Sequence, residues 1–165
     1  MRRNTSTKLS APLLLCLISG VSLLGAYAAE YGFDLLPCHL CLYQRVPFFI
    51  ALPLGLIGLL LGKRSTGRLL VSIVGGVVLL VGAGIATYHV GVEQGIIIME
   101  NSCADLIKTA QTLDDMRTQL LATPGIPCDK PQVLFLGLSM AAWNMLLSLS
   151  IGVTVIVMAW KHERI

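Results

Sequence analysis

Apolar positions run along this chain in long unbroken blocks, separated by short clusters of charge. Four blocks carry no charged residue: Pro12 to Ala29, Val46 to Gly62, Leu69 to Val92 and Val133 to Trp160. A helix needs roughly 20 residues to cross a hydrocarbon core about 30 Å thick, and each block is near that length or longer. Runs such as Leu13-Leu14-Leu15 and Val77-Val78-Leu79-Leu80-Val81 lack the polar–apolar alternation of a barrel strand. A helix also satisfies its own backbone groups where no water can do so. The expected fold is therefore all-α: one integral membrane domain over residues 1–165, a four-helix transmembrane bundle with spans at about 12–29, 46–62, 69–92 and 133–160. Glycines within the first three spans, such as Gly55, Gly58, Gly75 and Gly76, suit close helix packing. Arg2, Arg3 and Lys8 ahead of the first block, with Ala26-Tyr27-Ala28 at its end, have the outline of a signal peptide. The 18 uncharged residues exceed the usual apolar region of about 7–15, so the block is read as a retained span.

Composition agrees with this pattern. Of 165 residues, 55% are hydrophobic and 13% charged, against about 45–50% and about 25% in average soluble domains. Disorder and a small disulfide scaffold are excluded. The net charge is only +3 and the basic residues form no binding face, so no nucleic-acid partner is expected.

The position of charge is more informative than its amount. Lys and Arg concentrate in short cytoplasmic loops. Arg2, Arg3, Lys8, Lys63, Arg64, Arg68, Lys161 and Arg164 fall in three segments with one acid, Glu163, giving +7. The other two segments hold four basic residues and eight acids, giving −4; the two sides together make the stated +3. Both termini are expected in the cytoplasm, with segments 30–45 and 93–132 outside.

Four of the five cysteines, Cys38, Cys41, Cys103 and Cys128, lie in those outer segments, where disulfides persist. Two disulfides or a redox relay are expected. Cys38-His39-Leu40-Cys41 has the C-x-x-C spacing of thiol–disulfide oxidoreductases. Pro37 suits a helix start, placing Cys38 at a helix N-terminus, where the dipole favours a thiolate. Arg45 is four residues beyond Cys41, so one helical face presents sulfur and guanidinium together. Arg45 could balance a thiolate or the negative charge developing on an acceptor. The alternative is a structural Cys38–Cys41 disulfide with Arg45 reaching to the headgroups. Pro47 and Pro53 are expected to bend this helix.

Between Cys103 and Cys128, Leu106, Ile107, Ala110, Leu113, Met116, Leu120 and Leu121 recur at helical spacing, predicting an amphipathic helix on the outer surface. The second pair reads either as a structural clamp on this loop or as an exchangeable disulfide offered to a soluble partner. A zinc site is disfavoured, because zinc ligands favour C-x-x-C twice and this pair is 25 positions apart; no metal is expected. His89 and Glu93, one turn apart, could share a proton, although a lone histidine at a helix end is often merely interfacial. Trp143 and Asn144 could contact a ring ligand; an interfacial aromatic and a helix-packing contact are the plainer readings. Cys16 among leucines reads as packing.

Pro37-Cys38-His39-Leu40-Cys41-Leu42-Tyr43-Gln44-Arg45 resembles the P-C-x-L-C-x-x-Q-R signature of the disulfide bond formation protein B family, quinone-dependent thiol oxidases of the bacterial inner membrane. Leu136-Gly137-Leu138-Ser139-Met140, followed by Trp143, resembles the family's opening of its fourth helix. The resemblance implies that Cys103 and Cys128 form the disulfide that meets a periplasmic thioredoxin-like thiol oxidase. Cys38 and Cys41 would reoxidise that pair and pass two electrons to ubiquinone or menaquinone, with Arg45, His89 and Gln44 at the quinone. Glu93 stands where the family often has glutamine. The alternatives are a vitamin K epoxide reductase-like enzyme, whose shuttle cysteines precede its C-x-x-C, and a non-catalytic membrane subunit with two structural disulfides.

Overall fold

Local caps, not the edges of the uncharged blocks, decide where the helices begin. The computed structural model of the chain describes residues 10–61, 65–97, 128–131 and 133–163. Helix α1 spans Ala11–Gly32 with Pro12 in its first turn, where no N–H is missed. Helix α2, His39–Leu60, is capped by Cys38, whose sulfur accepts from the Cys41 N–H at 3.3 Å; Pro37 thus precedes the cap. Helix α3, Thr66–Glu93, is capped by Ser65, whose Oγ accepts from the Gly67 N–H at 3.2 Å. Pro47 and Pro53 both lie inside α2, which remains one element.

The fourth block departs from expectation. Its helix, α4, starts at Met140 rather than near Val133 and runs to Glu163. Before it, β1 (Leu134–Phe135) pairs antiparallel with β2 (Leu138–Ser139). The turn between them has Leu136 at φ 51° and Gly137 at φ 80°, and two left-handed residues in succession match the twist of a tight hairpin. The Trp143 indole donates to the Phe135 carbonyl at 2.9 Å, and Ser139 Oγ accepts from the Ala142 N–H at 3.2 Å to cap α4. Apolarity alone does not separate a short hairpin from a helix turn, so the sequence block ran the two together. The predicted amphipathic helix over 106–121 lies outside the described residues.

Consecutive helices pack against each other, with α3 seated between α2 and α4; α1 leans on α2 and meets α4 more lightly. The buried face of α3 is made of small residues, among them Ser72, Gly75, Gly76, Gly82, Ala83 and Ala86. Small residues allow the close backbone approach that drives helix association in lipid. At the α3–α4 crossing a Cβ on Gly76 would lie 3.1 Å from the Gly152 carbonyl oxygen, and one on Gly152 would lie 3.0 Å from that of Gly76. Cys16 fills the α1–α2 seam: its sulfur lies 3.7 Å from the Leu52 carbonyl oxygen, and a Cβ on Gly55 would come within 2.7 Å of it. Large apolar side chains, including Val21, Leu24, Leu60 and Val81, face outward. All four helices are long and apolar enough to cross a membrane.

The α3–α4 crossing has no room for a side chain. Gly152→Leu is expected to destabilise the bundle by about 1–3 kcal/mol, read as a lower thermal midpoint in detergent; an unchanged midpoint would mean the helices can separate without cost.

Candidate thiol–disulfide site

Cys38 and Cys41 come together because a C-x-x-C across a helix N-terminus folds the cap residue back over the first turn. Their sulfurs are 2.8 Å apart. Cys38 is buried, and its sulfur also lies 3.7 Å from His89 Nε2, carried by the last turn of α3. The thiol of Cys38 is pushed up to about 12, first by its hydrogen bond with Cys41 and then by burial. Cys38 therefore holds its proton firmly at neutral pH.

Cys128 reaches this pair from the connection between α3 and β1. It packs against the cluster of Cys38, Leu40 and Val92, and its sulfur, that of Cys38 and a ring nitrogen of His89 all lie within 4.8 Å of one another. Burial pushes the Cys128 thiol up as well. Two cysteines and a histidine at such spacing could ligate zinc. The 2.8 Å approach of Cys38 to Cys41, which is not one of those three, suits making and breaking a sulfur–sulfur bond. Cys103 lies outside the described residues.

Behind the sulfurs runs a buried polar chain. Ser148 Oγ donates to Asn144 Oδ1 at 3.2 Å, Asn144 Nδ2 donates to Gln44 Oε1 at 2.6 Å, and Gln44 Nε2 donates to His89 Nδ1 at 2.6 Å. Glu93 Oε1 stands 3.8 Å from His89 Nε2. His89 and Glu93 are thus neighbours, as their one-turn spacing suggests.

Arg45 takes partners from α1. Its guanidinium donates to Glu30 Oε2 at 2.5 Å and sits 5.1 Å over the Tyr27 ring. Both charged side chains are largely buried, 13% and 19% exposed, so each is the other's charge partner away from water. Cys38, Cys41, Gln44, Arg45, His89 and Glu93 all line one cavity of about 430 Å³ between α1 and α4. Its remaining walls are mainly apolar, and Trp143 and Asn144 belong to them.

The structure brings Cys38, Cys41, Gln44, Arg45 and His89 together around one cavity and joins Glu30 and Asn144 to them. Glu30 was counted only as an outer acid, although an acid ending one span and a base opening the next, across a short connection, were available as a signal. For Asn144 the sequence offers a ring-ligand contact or, more plainly, helix packing; its bond to Gln44 joins residues 100 positions apart, and no local pattern reveals it.

Thiols poised for exchange at the end of a four-helix membrane bundle define a membrane-embedded disulfide oxidoreductase. The family described as Disulfide bond formation protein DsbB matches residues 8–158, and the chain belongs to that family. It is 33% identical over 145 residues to a disulfide bond formation protein B of Xanthomonas campestris pv. campestris, covering 84% of this chain and 83% of the relative. A disulfide bond formation protein B of Hahella chejuensis is 30% identical over 135 residues, 79% of this chain and 81% of its own length. An uncharacterised protein of Rickettsia prowazekii is 31% identical over 139 residues, 83% and 79% respectively. No solved structure matches the chain. The protein is a multi-pass membrane protein of disulfide bond formation, which sets aside the epoxide reductase and purely structural readings.

The raised Cys38 thiol has a testable consequence. A thiol with pKa near 12 is almost wholly protonated at neutral pH and yields thiolate only as pH climbs towards that value. In the reduced protein Cys38 should resist iodoacetamide between about pH 7 and 9. In Cys41→Ala the first cause of the shift is gone, and the onset of Cys38 alkylation should move to lower pH by peptide mass spectrometry. The same onset in both proteins would remove Cys41 as the cause.

Proposed function

We propose that the protein reoxidises a periplasmic thioredoxin-like dithiol oxidase and passes the two electrons to a membrane quinone. It would do so in the bacterial inner membrane, with both termini cytoplasmic and segments 30–45 and 93–132 outside. The observation that carries this reading is the sulfur pair of Cys38 and Cys41 on the wall of an apolar cavity that also holds Arg45 and His89.

The cycle begins when the partner's dithiol reduces the Cys103–Cys128 disulfide. The Cys128 thiolate attacks Cys38 Sγ, forming a Cys128–Cys38 bond and releasing Cys41 with the electron pair of the broken Cys38–Cys41 bond. The nearness of Cys128 to Cys38 supports this choice of sulfur. The Cys103 thiolate then attacks Cys128, restoring the outer disulfide and releasing Cys38 as a thiolate, which takes up a proton. Exchange through such mixed disulfides is the general route for thiols.

The cavity suits a quinone head group. Its volume falls in the range of small-ligand pockets, about 300–1,000 Å³, and its lining is apolar with a few polar groups. When bound, a quinone supplies an acceptor for two electrons and two protons, leaving Cys38 and Cys41 joined again. Arg45 is the cation available to balance negative charge on the acceptor, and Glu30 and Tyr27 hold it in place. Gln44 and His89 supply hydrogen-bonding groups on the same wall.

The test is ubiquinone absorbance in purified, correctly inserted protein supplied with a reduced thioredoxin-like substrate. Loss of the absorbance is expected, and its persistence would sink the proposal. Cys128→Ala should still turn over small dithiols through Cys38 and Cys41 but not the protein partner; equal loss on both would contradict the division of labour. Arg45→Ala should raise the KM for quinone by about tenfold, the scale of one charge-assisted contact. An unchanged KM would take Arg45 out of the quinone site.

A further inference from the structure

The polar chain behind the sulfurs has one direction. An amide NH₂ can only donate and an amide oxygen only accept. Gln44 Nε2 faces His89 Nδ1, so Nδ1 accepts and the hydrogen of the neutral ring is on Nε2. Gln44 can present its NH₂ there because its oxygen is occupied by the Asn144 NH₂. The Asn144 oxygen in turn accepts from the Ser148 hydroxyl. At the other end, His89 Nε2 faces the Cys38 sulfur at 3.7 Å and a Glu93 carboxylate oxygen at 3.8 Å. An ionised carboxylate only accepts, and so does the thiolate that Cys38 becomes when its disulfide breaks, so an Nε2–H is the match for both. Every hydrogen from Ser148 to His89 points towards the sulfurs.

We propose that Asn144 is a positioning residue which, through Gln44, fixes the tautomer of His89 so that its single ring N–H faces Cys38 and Glu93. No family signature residue does this alone: Gln44 with a free oxygen could turn either end of its amide to the imidazole. Ser148, Asn144, Gln44 and His89 are contributed by α4, α4, α2 and α3, so the orientation is set by helix packing. Its use rests on the proposed function. When a disulfide bond to Cys38 breaks, the electron pair goes to Cys38 Sγ, and the Nε2–H is the donor placed to stabilise that thiolate. In the opposite tautomer Nε2 would offer only a lone pair to a group that also only accepts, and the leaving sulfur would lose its donor.

The tautomer can be read directly by long-range ¹⁵N–¹H NMR of histidine-labelled full-length protein in detergent near neutral pH, with H39N and H162N variants identifying the His89 signals. The wild type is expected to show a protonated Nε2 and a bare Nδ1 at His89. A wild-type ring protonated on Nδ1 alone would overturn the proposal without any variant of Asn144. In Asn144→Asp the carboxylate only accepts, so Gln44 must turn its NH₂ away from His89 and present its oxygen. The hydrogen should then appear on Nδ1, as the other tautomer or as the doubly protonated ring. Asn144→Leu, which adds no charge, should lower the Nε2–H fraction by leaving Gln44 free to turn. If a correctly inserted variant of either kind keeps the wild-type pattern, Asn144 only packs. These readouts need no quinone and no partner, so failure of the oxidase reading would show in the absorbance assay and failure of this one in the spectrum.

Discussion

The structure depends on keeping one amide satisfied where water is scarce. Gln44 is buried in α2 and reaches His89 on α3 with its NH₂ and Asn144 on α4 with its oxygen. A polar side chain left unpaired in such surroundings costs several kcal/mol at the upper end of the range, so the three helices hold the register that pairs it. Helices α2 and α4 lie across the bundle from each other, and the Gln44–Asn144 bond spans that diagonal. The same constraint aims His89 at the sulfurs. Fold and site therefore share their polar core, and a change at Asn144 reaches the chemistry even though its side chain touches no sulfur.

Charge is handled by a separate device on the other wall. Arg45 opens the membrane-embedded part of α2, and α1 answers it with Glu30 and the face of Tyr27. This keeps a permanent cation at the cavity without leaving it bare in an apolar setting. A salt bridge of this kind is weak support for stability, but it gives α1, the most loosely held helix, a reason to stay beside the site. Cys41 and Arg45 share the cavity wall, as their four-residue spacing in one helix suggests, yet the nearest anion to the guanidinium is a carboxylate.

Much of this was legible in the chain. Uncharged blocks located four helices because a bilayer rejects charge. The C-x-x-C spacing located the sulfurs because a helix turn closes over three residues, and His89 and Glu93 were linked by the same periodicity. What escaped was non-local or of the wrong period. The hairpin at Leu134–Ser139 is as apolar as the helix after it, and only the left-handed Leu136–Gly137 turn and the Ser139 cap divide them. The bonds of Glu30 and Asn144 depend on how helices face one another, which a single sequence does not state. Cys103 and the helix expected over 106–121 lie outside the described residues.

The seams of the bundle are unequal. Helices α3 and α4 meet backbone to backbone at Gly76 and Gly152, whereas α1 and α4 touch lightly and leave the cavity between them. A Cβ on Gly25, on the α1 side of that gap, would meet nothing within 4 Å. The bundle thus pairs one seam closed backbone to backbone with one open enough to leave a cavity. An added methyl would weigh unequally on the two: at Gly76 or Gly152 it would have to displace backbone, whereas at Gly25 it would meet open space.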